Sequence, residues 1–365
     1  MIRVITFVIT ILVSSVFITP NAQAVQEIII SETTHRLSDG VFVDDELALK
    51  LAPNGELGLL VYTLSRNLRS WQVDPATISE IVAMSNGYGI KDGTVPAGQQ
   101  IAKDWLTQFI KVSKNEKISA LTYGNPSGYW VDQLVKERLI YLQASGEILL
   151  ESLLGRAVDQ EIKLNSERQA LTERNQDLIK YAQRQIDLIG TVVDQKELLN
   201  IQLRLSQLLN PDIKDDQLVI FMQDFNKSIT QIRGKLKITK TKFTITSSEQ
   251  DLPITIINDF TSPVKLKLSI RVQNSKVAVT PVDEVQIDGN SKQQILLPVQ
   301  VLASGESGLL VQLTNAQNKP VGYPENIILK LSVISPVATW ITSGAAVLLF
   351  IAALVQSLRR ARRRK

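Results

Sequence analysis

The chain has 365 residues, with 40 Lys and Arg, 36 Asp and Glu, one His and no Cys. The absence of Cys excludes disulfide staples, thiol nucleophiles and cysteine-ligated metals. The length exceeds what a single core organises, so two or more domains are expected. Six of the cations lie in residues 359–365 and one is Arg3, leaving 33 against 36 acidic groups, about −3 for the rest of the chain. With no basic stripe and no interleaved aromatics in that remainder, nucleic acid is excluded as a partner.

Arg3 precedes an apolar stretch over 4–17, the breaker Pro20 and the small-residue pattern Ala22, Gln23, Ala24. This reads as a secretory signal peptide over 1–24, with the mature protein starting near Val25. Strands are expected at 27–30, 70–73 and 117–122. Helices are expected at 45–64, 75–84 and 97–112, the second with Pro75 at its first position. Strands that alternate with helices indicate βαβ units and a parallel sheet, so 25–130 is assigned to an α/β domain.

Residues 131–234 form a Leu-, Gln-, Glu- and Arg-rich region with no Pro before Pro211, expected to be helical for most of its length. Leu178, Ala182, Ile186, Ile189 and Val193 share one helical face. The heptad spacing of Leu164, Leu171 and Leu178 is spoiled by Arg168 and Asn175, which favours packed helices over a coiled coil. Asn210 and Pro211 read as the cap and first turn of a helix carrying Leu218, Phe221, Phe225, Ile229 and Ile232, ended by Gly234.

From 235 to 335 the apolar period changes to two, as in Val264, Leu266, Leu268 and Ile270. About seven short alternating strands separated by turn clusters indicate an antiparallel, immunoglobulin-like sandwich. Residues 337–358 carry no charge and match the ~20 apolar residues that cross a bilayer as a helix. The basic tail 359–365 is expected in the cytoplasm, with Trp340 near the outer interface and the bulk of the chain extracytoplasmic.

The sole histidine, His35, follows the first strand. One His without Cys makes a poor metal site, and no phosphate-cradling Gly-rich loop occurs, so no metal or cofactor is expected. Asp74 follows the second strand, and Tyr123 with Asn125 the third. Ligand groups of parallel α/β folds gather at the carboxyl ends of strands, so His35, Asp74, Tyr123 and Asn125 converge on one rim in that reading. In the structural alternative, Asp74 caps the helix at Pro75, and Asn125 with Pro126 makes a turn. Asp44, Asp45 and Glu46 form an acidic cluster suited to a helix start.

The segments His35, Arg36, Leu37, then Asp39, Gly40, Val41, Phe42, Val43, Asp44, Asp45, Glu46, Leu47, and Leu51, Ala52, Pro53, Asn54, Gly55, Glu56, Leu57 resemble an uncharacterised family of actinobacterial envelope proteins. The segments around Trp71, Val73, Asp74 and Pro75, at Tyr123, Gly124, Asn125 and Pro126, and at Leu252, Pro253, Ile254 and Thr255 carry the same resemblance. It implies a signal peptide, an α/β-barrel-like middle, a sandwich and a C-terminal anchor, and binding residues His35, Arg36, Asp44, Asp74, Tyr123 and Asn125. Such genes are often found beside the lipid II flippase gene, which implies a role in cell-wall assembly. The chain departs from the family in lacking a β-rich domain ahead of His35, in carrying Asn125 where Asp is usual, and in a middle domain shortened after Trp130.

The expected architecture is α+β and multidomain: a truncated barrel-like α/β domain with a helical extension, a sandwich and one transmembrane helix. The expected function is a non-catalytic scaffold that binds cell-wall glycan or an envelope protein such as the lipid II flippase. The alternative is a carbohydrate-active hydrolase or deacetylase using Asp74 and His35.

Overall fold

The computed structural model describes residues 25–362 other than 66, 161, 169, 283 and 333–335. The leader expected at 1–24 and the last three residues of the basic tail lie outside the described residues.

Four strands, β1 (Gln26–Ile30), β2 (Arg69–Val73), β3 (Lys117–Ala120) and β4 (Asp159–Gln160), pair in chain order, all parallel. Helices α1 (Glu46–Leu51) and α2 (Glu56–Tyr62) connect the first two strands, and α3 (Pro75–Ser85) and α4 (Gln99–Ser113) the next two. The single helix expected at 45–64 is split, because Pro53 lacks an N–H and Gly55 turns the chain. A Cβ on Gly58 would overlap the carbonyl of Ala52, so the two short helices meet backbone to backbone. After β3, α5 (Gly128–Trp130) passes through one π turn and one 3-10 turn into α6 (Leu139–Leu154). The side-chain amide of Gln183 donates to the Leu134 carbonyl within this irregular stretch.

Strand order and direction match the winding of a barrel, but among the described residues the sheet stays open at four strands. The reason lies in its two faces. Ile28, Ile30, Trp71, Val73, Ile118 and Ala120 pack on the helices. The other face carries Glu27, Gln72 and Ser119, with Gln72 donating to Glu27 and Lys163 reaching Glu27 at 3.2 Å. A closed barrel fills that side with branched apolar layers, which these residues cannot supply. Beyond the expected boundary at 130, α6 packs on α3 and β3, and β4 follows it in the chain.

The region 131–234, expected to be helical for most of its length, contains α6, α7 (Glu173–Gly190), α8 (Leu199–Gln207) and α9 (Asp215–Gly234). Leu164 lies outside any helix, which removes the heptad hint. Thr172 caps α7, its hydroxyl accepting from Asn175 N at 3.2 Å. Asn210 does not start α9, because its amide donates to the Gly124 carbonyl at 2.9 Å and its oxygen accepts from Asp212 N. Helix α8 is buried on almost every side, which explains why its Leu199, Ile201, Leu203, Leu205 alternation looks strand-like.

Among the described residues, nine further strands make two sheets: β5 (Leu236–Ile238), β6 (Lys242–Ile245), β7 (Glu249–Asn258), β8 (Val264–Val272), β9 (Val277–Val279), β10 (Val285–Ile287), β11 (Ser291–Val301), β12 (Gly305–Thr314) and β13 (Glu325–Leu331). The sheet orders are β10-β8-β12-β13-β6 and β5-β7-β11-β9. All these pairs are antiparallel except β13 with β6, a departure from the expected all-antiparallel sandwich. Alternate residues such as Leu252, Ile254 and Ile256 join Leu309, Val311 and Leu313 in a core that also contains Ile186, Phe221 and Phe225 of α7 and α9. The helical region and the sandwich therefore share one hydrophobic interior, and Glu197 fastens them by accepting from Thr261 N at 2.7 Å and Ser262 N at 3.0 Å.

Helix α10 (Pro336–Arg362) starts shortly after β13 ends at Leu331. Its segment Trp340–Ser357 is long and apolar enough to cross a membrane and is left uncovered by the rest of the described chain. It falls within the expected span 337–358.

Candidate functional site

The carboxyl ends of β1, β2 and β3 form a rim, and α8 lies across it. Asp74 follows β2 and caps α3, with Oδ1 accepting from Ala76 N at 2.9 Å and from Gly124 N at 2.8 Å, and Oδ2 from the Thr77 hydroxyl at 3.1 Å. It is 0 % exposed. Burial pushes its carboxyl up to about 7, against the downward pull of the Ala76, Gly124 and Thr77 bonds. The capping alternative is thus the observed one, and the bond to Gly124 adds a staple between the ends of β2 and β3.

Gly124 and Asn125 both have left-handed φ, +79° and +45°. At Gly124 a Cβ would lie 2.6 Å from Gln207 Cα, so only glycine admits the close passage of α8. Asn125 donates to the Ser31 hydroxyl at 3.0 Å, tying the end of β3 to that of β1, while Tyr123 lines the cavity described below.

His35 is 1 % exposed, with Nδ1 2.8 Å from Asp44 Oδ1 and Nε2 3.8 Å from Glu32 Oε1. Burial alone would lower its pKa, but the Asp44 and Glu32 contacts raise it to about 9, so it is a buried cation. Asp44 is held below the usual carboxylate range by that same His35 bond, and also accepts from Glu46 N at 3.0 Å, which starts α1. The ligand atoms of His35, Asp44 and Glu46 lie within 4.8 Å of one another. A cation there would have to displace the proton on His35 and compete with Lys214, 3.5 Å from Glu46.

Arg36 donates to the Gly40 carbonyl and lines a cavity of about 540 Å³ between α3, α6, α8 and α9. Of the expected site residues only Arg36 and Tyr123 line it; His35, Asp44, Asp74 and Asn125 do not. Sequence reasoning missed Glu80, Arg204 and Asp224, which do. Glu80 accepts from the Thr34 hydroxyl at 2.6 Å, His35 N at 2.9 Å and the Gln207 amide at 3.1 Å. Arg204 donates to the Thr34 hydroxyl at 2.8 Å, and its Nη2 lies 3.5 Å from Asp224 Oδ2. The signal for two of them was a charge inside an apolar helical run: Glu80 between Ile78 and Ile81, Arg204 between Leu203 and Leu205.

No curated protein matches this chain. Solved structures similar to part of it include WR4, an MSP family member of C. elegans (13 % identity, 27 % of this chain and 98 % of that one, TM-score 0.21). Others are alpha-2-macroglobulin of E. coli (13 %, 26 % and 6 %, TM-score 0.22) and the E. coli chaperone DraB (18 %, 28 % and 55 %, TM-score 0.20). Residues 141–364, more than half of the chain, match a family described as a family of unknown function, and the chain accordingly belongs to that family, DUF6049.

Proposed function

We propose that this chain is a single-pass, membrane-anchored component of the cell envelope that binds a glycan or protein partner of cell-wall assembly without turning it over. The apolar segment Trp340–Ser357 followed by the cations of 359–365 supports an anchor with a cytoplasmic C-terminus and an extracytoplasmic bulk. The signal-like 1–24 and the resemblance to actinobacterial envelope proteins encoded beside the lipid II flippase point the same way.

The observation that carries the non-catalytic reading is Asp74. Glycoside hydrolysis needs two carboxyls about 5 to 9.5 Å apart across an open cleft. Asp74 is instead fully buried and closed in behind three donors, and Glu80, which lines the cavity, has three donors on its two oxygens. Neither carboxyl is free to exchange a proton with a bound sugar.

The test uses the full chain in lipid nanodiscs, incubated with purified cell-wall glycan and with envelope membrane extract. The expected result is retention of wall material or of an envelope protein, with no release of reducing ends or acetate. Turnover that disappears in Asp74→Asn would overturn the reading in favour of a hydrolase or deacetylase.

A further inference from the structure

The two ends of the sandwich differ in what covers them. One end meets the helices: Glu197 accepts from Thr261 N and Ser262 N, Asn315 donates to the Thr191 hydroxyl at 2.9 Å, and Arg233 donates to the Gly322 carbonyl at 3.3 Å. The strand registers gather the other end. Leu331, the last residue of β13, pairs with Gly305 of β12 and Ile245 of β6; Val272, the last of β8, pairs with Leu309 of β12; and Val301, the last of β11, pairs with Val277 of β9. Ser332 N donates to Ile245 O, Val301 N to Ser248 O and Leu302 N to Lys276 O, each at 2.8 Å. The loops 246–248, 273–276 and 302–304 therefore lie at this end with Ser332, and it is from here that the chain runs on to α10 at Pro336.

These loops carry Thr, Ser, Gln, Asn and Ala side chains, with Leu302 and Lys276 and no carboxylate. The adjoining acid Glu306 sits in β12 opposite Lys330. Leu302 is 60 % exposed at a loop tip, whereas the other equally exposed aliphatic of the sandwich, Leu296, lies mid-strand opposite Pro253. Lys276 folds over the same tip, its Nζ 2.6 Å from where a Cβ on Gly305 would stand. Among the described residues its ammonium forms no ion pair. An apolar tip beside an unpaired ammonium suits the boundary of a bilayer, where the apolar group enters the acyl edge and the cation meets phosphate. One Leu is too little to hold a free protein there, but a tether to α10 makes the contact intramolecular.

We infer that this end of the sandwich is a lipid contact: Leu302 enters the headgroup layer of the bilayer that holds α10, with the Lys276 ammonium at the level of the phosphates. The sandwich then stands on its end, and the ten residues of β12, at ~3.3 Å each, set its helix-covered end about 30 Å from the surface. The inference rests on the reading of α10 as a membrane anchor.

The chain has no Cys, so a fluorophore on one introduced Cys reports one place. The full chain is reconstituted into vesicles of phosphatidylcholine with a minority of phosphatidylglycerol, and labelled at Ser275→Cys for the α10 end or at Gln317→Cys for the helix-covered end. Headgroup spin-labelled lipid is expected to quench the label at 275 and not that at 317, and aqueous iodide to do the reverse. Leu302→Asp, a change at an exposed position that leaves the core alone, is expected to lower the lipid-contacting population at least about tenfold, with spin-label quenching at 275 lost and iodide quenching gained. Lys276→Gln is expected to weaken spin-label quenching in the anionic vesicles and not in pure phosphatidylcholine. Iodide quenching of the label at 275 as strong as at 317, shielding of the label from both quenchers, as a second copy or a protein partner would give, or an unchanged signal in Leu302→Asp overturns the inference. An unchanged signal in Lys276→Gln overturns the phosphate contact. Chains that float with the vesicles while the label at 275 stays aqueous defeat this inference alone, whereas chains that do not float defeat the anchor reading beneath it.

Discussion

Toward the sandwich the helices make an apolar join, and toward the α/β unit a polar one. On the sandwich side, Phe221, Phe225 and Ile229 share one interior with Leu252, Ile256, Leu309, Val311 and Leu313. On the α/β side, Arg204, Ser206, Gln207 and Asn210 bond Thr34, Tyr123, Glu80 and Gly124 respectively. Helix α8 takes part in both, with Ile201 and Leu205 on the apolar side and Leu203, Arg204 and Gln207 on the other. Apolar contact is non-directional and indifferent to pH, whereas a buried polar join holds only while its donors and acceptors are matched. The second join is therefore where the cavity lies and where conditions act.

The largest expected effect breaks the apolar side. Phe225→Ala is expected to cost about 3–5 kcal/mol, and because the core is shared, hydrogen exchange should rise in α7, α9 and the sandwich together. A rise confined to the helices would show two separate cores. On the polar side, Glu80→Gln is expected to cost about 1.5–3 kcal/mol and to split chemical unfolding into two phases, the α/β unit leaving first. A single unshifted transition would remove the distinction between the joins.

The pH dependence sharpens the contrast. Asp74 has a folded value of about 7 against an ordinary 3.8, so its contribution is full at low pH and is lost as pH rises from about 3.8 through 7. His35, raised from 6.5 to about 9, contributes fully below 6.5 and loses its contribution as pH rises through 9. Melting temperature is thus expected to fall in two steps toward alkaline pH. Asp74→Asn should remove the first step and His35→Gln the second, as read by thermal melts across the series. The smallest effect is Thr172→Ala, which removes the cap of α7 for about 1 kcal/mol and should leave both joins intact by the same exchange measurement.

Much of this was legible. Period-two alternation located the sandwich, the Asp74, Pro75 pair announced a capped helix, and the apolar run before the basic tail marked α10. The barrel-like expectation held in part, in strand order and parallel direction, because repeated strand and helix patterns fix winding but not closure. The polar alternation of Glu27, Gln72 and Ser119 was the available warning. The cavity was not legible, because Glu80 and Gln207 meet across 127 positions and their burial is decided by where α8 lands. Propensity within α8 says nothing of that.

Strand β13 stops at Leu331 and α10 begins at Pro336. Five peptide steps of at most about 3.6 Å give a leash shorter than roughly 20 Å. Were α10 embedded in lipid, as proposed, the sandwich would ride near headgroup height. Encounters would then be governed by lateral diffusion along the bilayer, a two-dimensional search in which partners held at the same surface have the advantage.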